Sequence, residues 1–247
     1  MSKLDETPIS LSEVPVMEGD EMRLIDLEVT EDLNVYRTME TVGIRTADFV
    51  QYYIQPEEDQ DIIIVSGKGN NGGNSITTGR ILLGRGYRNI KLILSHSPEV
   101  MKGVASEQFD LFLKFGGSLI HKRDVLTSDF APNTLLIDGL LGTGITRSPS
   151  GVVGELIEEV NKWGFRVLSC DIPSGLNHST GEAYEPCIRA KWTLNYHVVK
   201  SGQVKGPRDL VGSLWTCETN LTFTRFGSDF GKRLKMLYAS KPIVRIT

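Results

Sequence analysis

From residue 61 the chain alternates between short aliphatic runs and longer stretches with helical spacing, and this alternation restricts its fold more than any other feature. The runs "DIIIV" (61–65), "IKLILS" (90–95), "TLLID" (134–138) and "RVLSCD" (166–171) have the length and aliphatic content of strands. Between them lie "SITTGRILLGRG" (75–86), "EVMKGVASEQFDLFLKFGG" (99–117) and "GVVGELIEEVNKWG" (151–164), where apolar residues recur three or four apart. Strand and helix in alternation produce a parallel sheet with helices on both faces. Two later runs, "AKWTLNYHVV" (190–199) and "SLWTCETNL" (213–221), extend or edge that sheet, and two helical stretches precede it at 20–33 and 35–53. No Pro/Gly/Ser linker divides the chain. The expected fold is therefore α/β, a three-layer α/β/α Rossmann-like arrangement with a mostly parallel sheet. It forms a single domain over residues 20–247, after a flexible lead-in over 1–19.

Composition excludes several classes. With 247 residues, 40% hydrophobic and 23% charged, the chain is ordinary for a soluble globular protein, and a fold of this size buries about 70% or more of its unfolded surface. A formal charge of −4 gives no general affinity for nucleic acid or anionic membrane. Residues 225 to 247 locally carry six basic groups against Asp229 and read as a solvated surface. Cys170, Cys187 and Cys217 are odd in number and lack CxxC spacing, so neither a disulfide framework nor a zinc site is indicated. The start "MSKLDETPIS" lacks the pattern of a leader, and no run approaches the roughly 20 apolar residues that span a bilayer. The expected location is cytoplasmic.

In open α/β sheets ligands bind beyond the carboxyl ends of the strands. Here those ends lead into "GKGNNGGNS", "GLLGTGITRSPSG" and "IPSGLN", loops rich in glycine, hydroxyls and amides, and two strands deliver Asp138 and Asp171 towards one shared crevice. Gly67, Gly69 and Gly72 satisfy G-x-G-x-x-G after a strand and before a helix. That fingerprint also wants an acid about 20 positions on for a ribose hydroxyl, whereas the next strand end reads Leu94-Ser95-His96-Ser97. Lys68 precedes most of the glycines and no Lys-Ser or Lys-Thr follows, so a Walker loop fits worse. Glycines that merely turn the chain do not require Asn70, Asn71 and Asn74 as well. Phosphate or sugar binding at a helix N-terminus explains both features.

"GKGNNGGNS", "DGLLGTGITRSPSG" and "DIPSGLN", in this order, resemble the YjeF N-terminal domain, whose enzymatic members are NAD(P)HX epimerases. The resemblance runs from about residue 20 to about residue 220 and includes "TMETVG", similar to the family's L-M-E-x-A-G, and "KSG" (200–202), similar to its K-P-G. It implies that Asn71, Asp138 and Ser174 hold a potassium ion, for which hard oxygen ligands are suited. It further implies substrate contacts from Asn70, Asn71, Gly72, Gly73 and Asn74, from Gly142, Thr143, Gly144, Ile145, Thr146, Arg147 and Ser148, and from Asp171. The N–H groups of Gly72, Gly73, Gly142 and Gly144 are expected to approach a pyrophosphate, and Arg147 to add a charge-assisted contact. The implied substrates are NADHX and NADPHX, the implied cofactor K+, and the implied assembly a homodimer, with no nucleic acid or membrane partner.

In the implied reaction a hydroxyl-bearing carbon beside the nicotinamide nitrogen inverts through a ring-opened or iminium-like intermediate, and Asp171 is expected to exchange the hydroxyl proton. Three departures stand against the family pattern. Gly73-Asn74-Ser75 replaces G-G-D-G, exchanging a carboxylate for a neutral amide; "KSG" lacks the proline; and Cys217-Glu218-Thr219 stands for a D-I-G-like end. A non-catalytic nucleotide- or protein-binding module is accordingly the second reading, as in similar domains of decapping enhancers and lipoprotein-binding proteins. An ordinary NAD-dependent oxidoreductase is third. The family's separate dehydratase activity is expected to reside elsewhere. His96, His121, His178 and His197 show no metal-ligand spacing and are expected at the surface, with only His178 near the crevice. Trp163, Trp192 and Trp215 are expected in the core or an interface, and Cys170 as an inert buried thiol.

Overall fold

A strand covered on both faces is apolar at every position, and Ile62-Ile63-Ile64-Val65 is the clearest instance. Ile62 and Ile64 join one core cluster while Ile63 and Val65 join another, as the two-residue side-chain period of a strand requires. The computed structural model describes residues 7–21, 25, 34–121, 124, 130–131, 133–223 and 227–246. Its strands are β1 (Val16–Met17), β2 (Ile62–Ser66), β3 (Ile90–Leu94), β4 (Ser118–Leu119), β5 (Leu135–Gly139), β6 (Arg166–Cys170), β7 (Trp192–Tyr196), β8 (Val199–Lys200), β9 (Ser213–Cys217) and β10 (Ile243–Arg245). The helices are α1 (Val35–Phe49), α2 (Asn70–Gly84), α3 (Gly103–Lys114), α4 (Gly151–Trp163), α5 (Ser201–Lys205), α6 (Arg208–Val211) and α7 (Ser228–Leu237). A π-helical turn, Val50–Ile54, continues α1.

The main sheet has the order β10-β9-β7-β6-β5-β2-β3-β4. Every pairing in it is parallel except β10 with β9. Val42, Phe49, Ile76, Leu82, Phe109 and Phe112 bring α1, α2 and α3 onto one face. Leu156, Ile157 and Val160 set α4 on the other. This is the expected three-layer α/β/α fold. Because β2 leads outward to β3 while β5 leads the opposite way to β6, the strand order reverses between β2 and β5, the place where such sheets open a crevice.

The "TMETVG" segment sets the position of α2. A Cβ on Gly43 would lie 2.5 Å from Thr77 Cγ2, and one on Gly73 would lie 2.4 Å from Met39 Cε, so α1 and α2 touch where side chains are smallest. Arg80 donates to Glu40 Oε2 at 2.6 Å, and Gln108 to Glu40 Oε1 at 2.6 Å, which ties α1, α2 and α3 together.

Three expectations change. Residues 7–19 are not a loose lead-in: Val14 and Met17 are buried, β1 pairs with β8, and Ile9 bridges Ile246. The basic tail is not merely a solvated surface, since Leu234 and Leu237 of α7 and Ile243 and Val244 of β10 are buried beneath its charges. Helix α2 begins at Asn70 rather than at Ser75, with Gly69 as N-cap and the Gly73 N–H closing the first turn on the Gly69 carbonyl at 3.2 Å. The helix expected over 20–33 falls almost wholly outside the described residues. Among the described residues no helix is long and apolar enough to cross a membrane.

The glycines at the head of α2 divide by environment. A Cβ on Gly67 would stand 1.8 Å from the Leu140 carbonyl oxygen, whereas one on Gly69 would meet nothing within 4 Å. Gly67→Ala is therefore expected to cost about 1–3 kcal/mol, the usual range for overpacking. Gly69→Ala is expected to stay within about 1 kcal/mol of the wild type, as an unobstructed surface substitution does. Urea unfolding of the two variants measures the difference.

Candidate active site

At the strand-order reversal a cavity of about 1170 Å³ opens between the ends of β2, β5 and β6, a volume sufficient for a dinucleotide-sized ligand. Of the residues expected to touch substrate, Asn70, Asn71, Asn74, Gly142 to Ser148 and Asp171 line it. Gly72 and Gly73 do not; both are buried by the packing of α2, and the Gly73 N–H is already committed within the helix. Among the glycines that line the cavity, Gly69 and Gly144 are those whose added Cβ would meet nothing within 4 Å.

Asp138 does not face the cavity. It lies beneath the floor, fully buried, and each of its carboxylate oxygens accepts two hydrogen bonds. Oδ1 accepts from Ser174 Oγ at 2.6 Å and from the Leu140 N–H at 3.2 Å; Oδ2 accepts from the Ser174 N–H at 3.0 Å and from Ser169 Oγ at 2.9 Å. Burial nonetheless raises its pKa above the usual carboxylate range, outweighing these bonds. The Leu141 N–H donates to Ser174 Oγ at 2.8 Å, while Asn71 Nδ2 donates to the Leu141 carbonyl at 2.7 Å and to the Cys170 carbonyl at 3.0 Å. One hydrogen-bonded cluster thus joins all three strand ends.

Asp171 sits on the cavity wall in the left-handed region, at φ 67°. Its Oδ1 takes the Lys200 ammonium at 2.6 Å and the Tyr196 N–H at 3.2 Å, and its carbonyl accepts from Gln203 Nε2 at 2.5 Å. These bonds leave Oδ2 for a ligand. Lys200, only 2% exposed, is also held by Asn195 Oδ1 at 2.7 Å. Asn195 in turn donates to Thr216, which shares a hydrogen bond with the Tyr238 hydroxyl.

Two histidines depart from the surface positions expected of them. His197 is 1% exposed, at φ 64°, and lines the cavity with Thr219 and Leu221. His96 lines the far end beside Lys68 and Ser95, whereas His178 does not line it. Burial and then the Lys68 charge lower the His96 pKa. Trp192 and Trp215 are buried and Trp163 partly so, as expected of core residues. The cysteines are free and buried, and burial pushes the Cys170 and Cys187 thiols up to about 12.

The profile of the family described as YjeF-related protein N-terminus matches residues 35–202, a span that holds all three loops and Lys200. The chain belongs to this family. It is 33% identical over 175 residues to a bifunctional NAD(P)H-hydrate repair enzyme, Nnr, of Moorella thermoacetica, a match covering 68% of this chain and 33% of that protein. It is also 33% identical over 162 residues to an NAD(P)H-hydrate epimerase of Bordetella pertussis, covering 64% of this chain and 68% of the relative. The chain matches about a third of the length of the bifunctional relative, 33%. The crystal structure of the yeast protein YNL200c has the same fold, with a TM-score of 0.76 over 94% of this chain and 100% of that one at 16% identity.

Within this YjeF-type site the donor set fits a hard monovalent cation. Asn71 Oδ1 is buried with no hydrogen-bond partner among the described residues; the Nδ2 of the same amide donates to the Leu141 and Cys170 carbonyls, and Ser174 Oγ lies 3.3 Å from that Leu141 carbonyl while donating to Asp138. All are oxygen ligands, and one carries a buried negative charge. Among the described residues no three His, Cys, Asp or Glu side chains converge as a soft-metal site would need. In the sequence "KSG" stood out only for its likeness to the family's K-P-G. The signal that could have found Lys200 was a lysine inside an otherwise apolar strand run, "HVVK", which requires a buried partner.

Burial first, and the Lys200 charge second, push the His197 imidazole down from 6.5 to about 3. A base with a depressed folded pKa adds stability that is full above the unfolded value and is lost as pH falls from 6.5 towards 3. Asn tolerates the left-handed conformation, so His197→Asn is expected to fold and to flatten this acid limb. The slope removed is at most about 1.4 kcal/mol per pH unit, measurable by urea unfolding across the window.

Proposed function

We propose that this chain is an NAD(P)H-hydrate epimerase, an isomerase that interconverts the R and S forms of hydrated NADH and NADPH in nucleotide repair. The observation that carries the proposal is the placement of Asp171 on the wall of a dinucleotide-sized cavity walled by the ends of three strands, its Oδ1 fixed by Lys200 and its Oδ2 left for a ligand. The family relatives named as NAD(P)H-hydrate epimerases support it.

The reacting carbon of the hydrate bears a hydroxyl and adjoins the ring nitrogen. In a ring-opening route Asp171 Oδ2 takes the hydroxyl proton as the carbon–nitrogen bond breaks; an aldehyde forms, and the nitrogen leaves with the bonding pair and is protonated. Rotation and reclosure return the opposite configuration. In an iminium route the protonated carboxyl gives its proton to the departing hydroxyl, which leaves as water; a second water adds from the other face and releases a proton to solvent, from which the carboxylate is reprotonated. Both need one carboxyl group that exchanges a proton at that oxygen, and in the iminium route the carboxylate left behind also stabilises the positive charge on the nitrogen. Lys200 acts through Asp171, holding Oδ1 so that Oδ2 is the reacting oxygen. Asn70 and the N-terminal turn of α2, with Arg147, line the same cavity and would hold the pyrophosphate. Asn71, Asp138 and Ser174 would hold K+, which supplies a fixed positive charge below the phosphate-binding loops.

Asn74 lines the cavity in place of the family's carboxylate, and this favours one second reading, a module that binds the nucleotide without turnover. The buried free cysteines fit a reducing, cytoplasmic setting. Tyr36, Ile44 and Tyr52, which are 38%, 41% and 45% exposed along α1 and its π turn, are the surface we assign to a homodimer. Neither nucleic acid nor membrane enters this proposal.

Purified protein incubated with one NADHX epimer is expected to produce the other, as followed by chromatography. Asp171→Ala is expected to slow conversion at least about 100-fold, the lower bound for loss of a general acid–base. Conversion that appears only with Asn74→Asp would favour the binding module, and an unchanged rate in Asp171→Ala would remove its assigned role.

A further inference from the structure

The end of β3 carries groups that the reaction does not use. Ser95 and His96 follow β3, which lies beside β2, and the Ser95 N–H donates to the Ser66 carbonyl at 3.0 Å. In dinucleotide-binding sheets this strand end meets the 2′ position of the adenosine ribose: an acidic side chain there binds the hydroxyl and repels a phosphate, whereas a cationic neighbour admits one. This chain has a hydroxyl and an imidazole in place of the acid, with Lys68 on the adjacent loop close enough for its charge to act on His96. All three line the same cavity as Asn70 and Asn74.

The charge balance of the cavity points the same way. Asp171 is the acidic residue among its described lining, and Lys200 neutralises it. Lys68 and Arg147 form no ion pair among the described residues; Lys68 follows β2 and Arg147 lies in the loop after β5. His96 Nε2 is buried and has no hydrogen-bond partner among the described residues, and Nδ1 has only a 3.4 Å contact with Ser95 Oγ. An ammonium, a hydroxyl and an imidazole together match a phosphomonoester, which presents three acceptor oxygens and close to two negative charges.

We propose that Lys68, Ser95 and His96 form a phosphomonoester subsite that makes hydrated NADPH the preferred substrate over hydrated NADH. The proposal rests on the epimerase reading for the identity of the rest of the ligand, but the subsite itself can be measured without turnover.

Isothermal titration of the full chain with adenosine 2′,5′-bisphosphate, adenosine 5′-phosphate and adenosine 3′,5′-bisphosphate tests it. The 2′,5′ isomer is expected to bind roughly 10- to 100-fold more tightly than either other ligand, the size of a charge-assisted hydrogen bond. Lys68→Ala is expected to remove most of that advantage, and His96→Asp to abolish or invert it, with the 5′-phosphate still binding as a control for folding. Equal affinity for the two bisphosphates, no binding of any of the three, or a preference that survives both substitutions would overturn the subsite. A preserved 2′,5′ preference in a protein that converts neither NADHX nor NADPHX would instead overturn the epimerase reading and leave the subsite standing.

Discussion

One fully buried carboxylate, Asp138, fastens the three strand ends on which the cavity depends. Its two oxygens bind Ser174 through side chain and backbone, Ser169 of β6 and the Leu140 N–H that begins the loop after β5. Through Ser174 and Leu141 the cluster reaches Asn71, in the first turn of α2. A buried charge is costly unless its oxygens are satisfied, so each neighbouring loop has a single conformation compatible with it. The same cost raises the Asp138 pKa, and a cation at Asn71 Oδ1 would offset it.

The cavity wall adds a second ordered layer. Asp171 and His197 both adopt left-handed backbone, at φ 67° and 64°, each of which costs on the order of 1–3 kcal/mol for a residue other than glycine. Both are held by hydrogen bonds within one region: Asp171 by Tyr196, Lys200 and Gln203, and His197 through its carbonyl, which accepts from the Tyr238 hydroxyl. Tyr238 also shares a bond with Thr216, which accepts from Asn195, the residue that holds Lys200. The polar chain behind the site therefore runs from Asp171 through β7 and β9 to the end of α7. A segment read from sequence as solvated tail is part of the support for the wall.

How much was legible in the sequence follows from what each feature depends on. Strands β2, β3, β5 and β6 were readable because burial on both faces forces an uninterrupted aliphatic run, and loop positions such as Asn70, Gly142 and Asp171 followed from strand ends. Helix α2 was placed five residues late because glycine and asparagine have low helix propensity, whereas here the Gly67 carbonyl against Gly72 and Met39 against Gly73 leave no room for a Cβ. Edge strand β10 has only three residues and acquires its identity from pairing with β9, which local pattern does not carry. Lys200 and His197 are far in sequence from the loops they serve. Their burial is a tertiary fact, and their side-chain types alone pointed to the surface.

If the buried carboxylate is what fastens the loops, its loss should be felt in all three at once. Hydrogen exchange of Asp138→Asn against the wild type measures this most directly, because the substituted amide would set a donor against the Ser174 N–H or the Ser169 hydroxyl. Protection is expected to fall together in segments 67–74, 139–148 and 171–176 while the central strands stay protected. Faster exchange confined to the residues next to position 138, with the other two segments unchanged, would contradict the account.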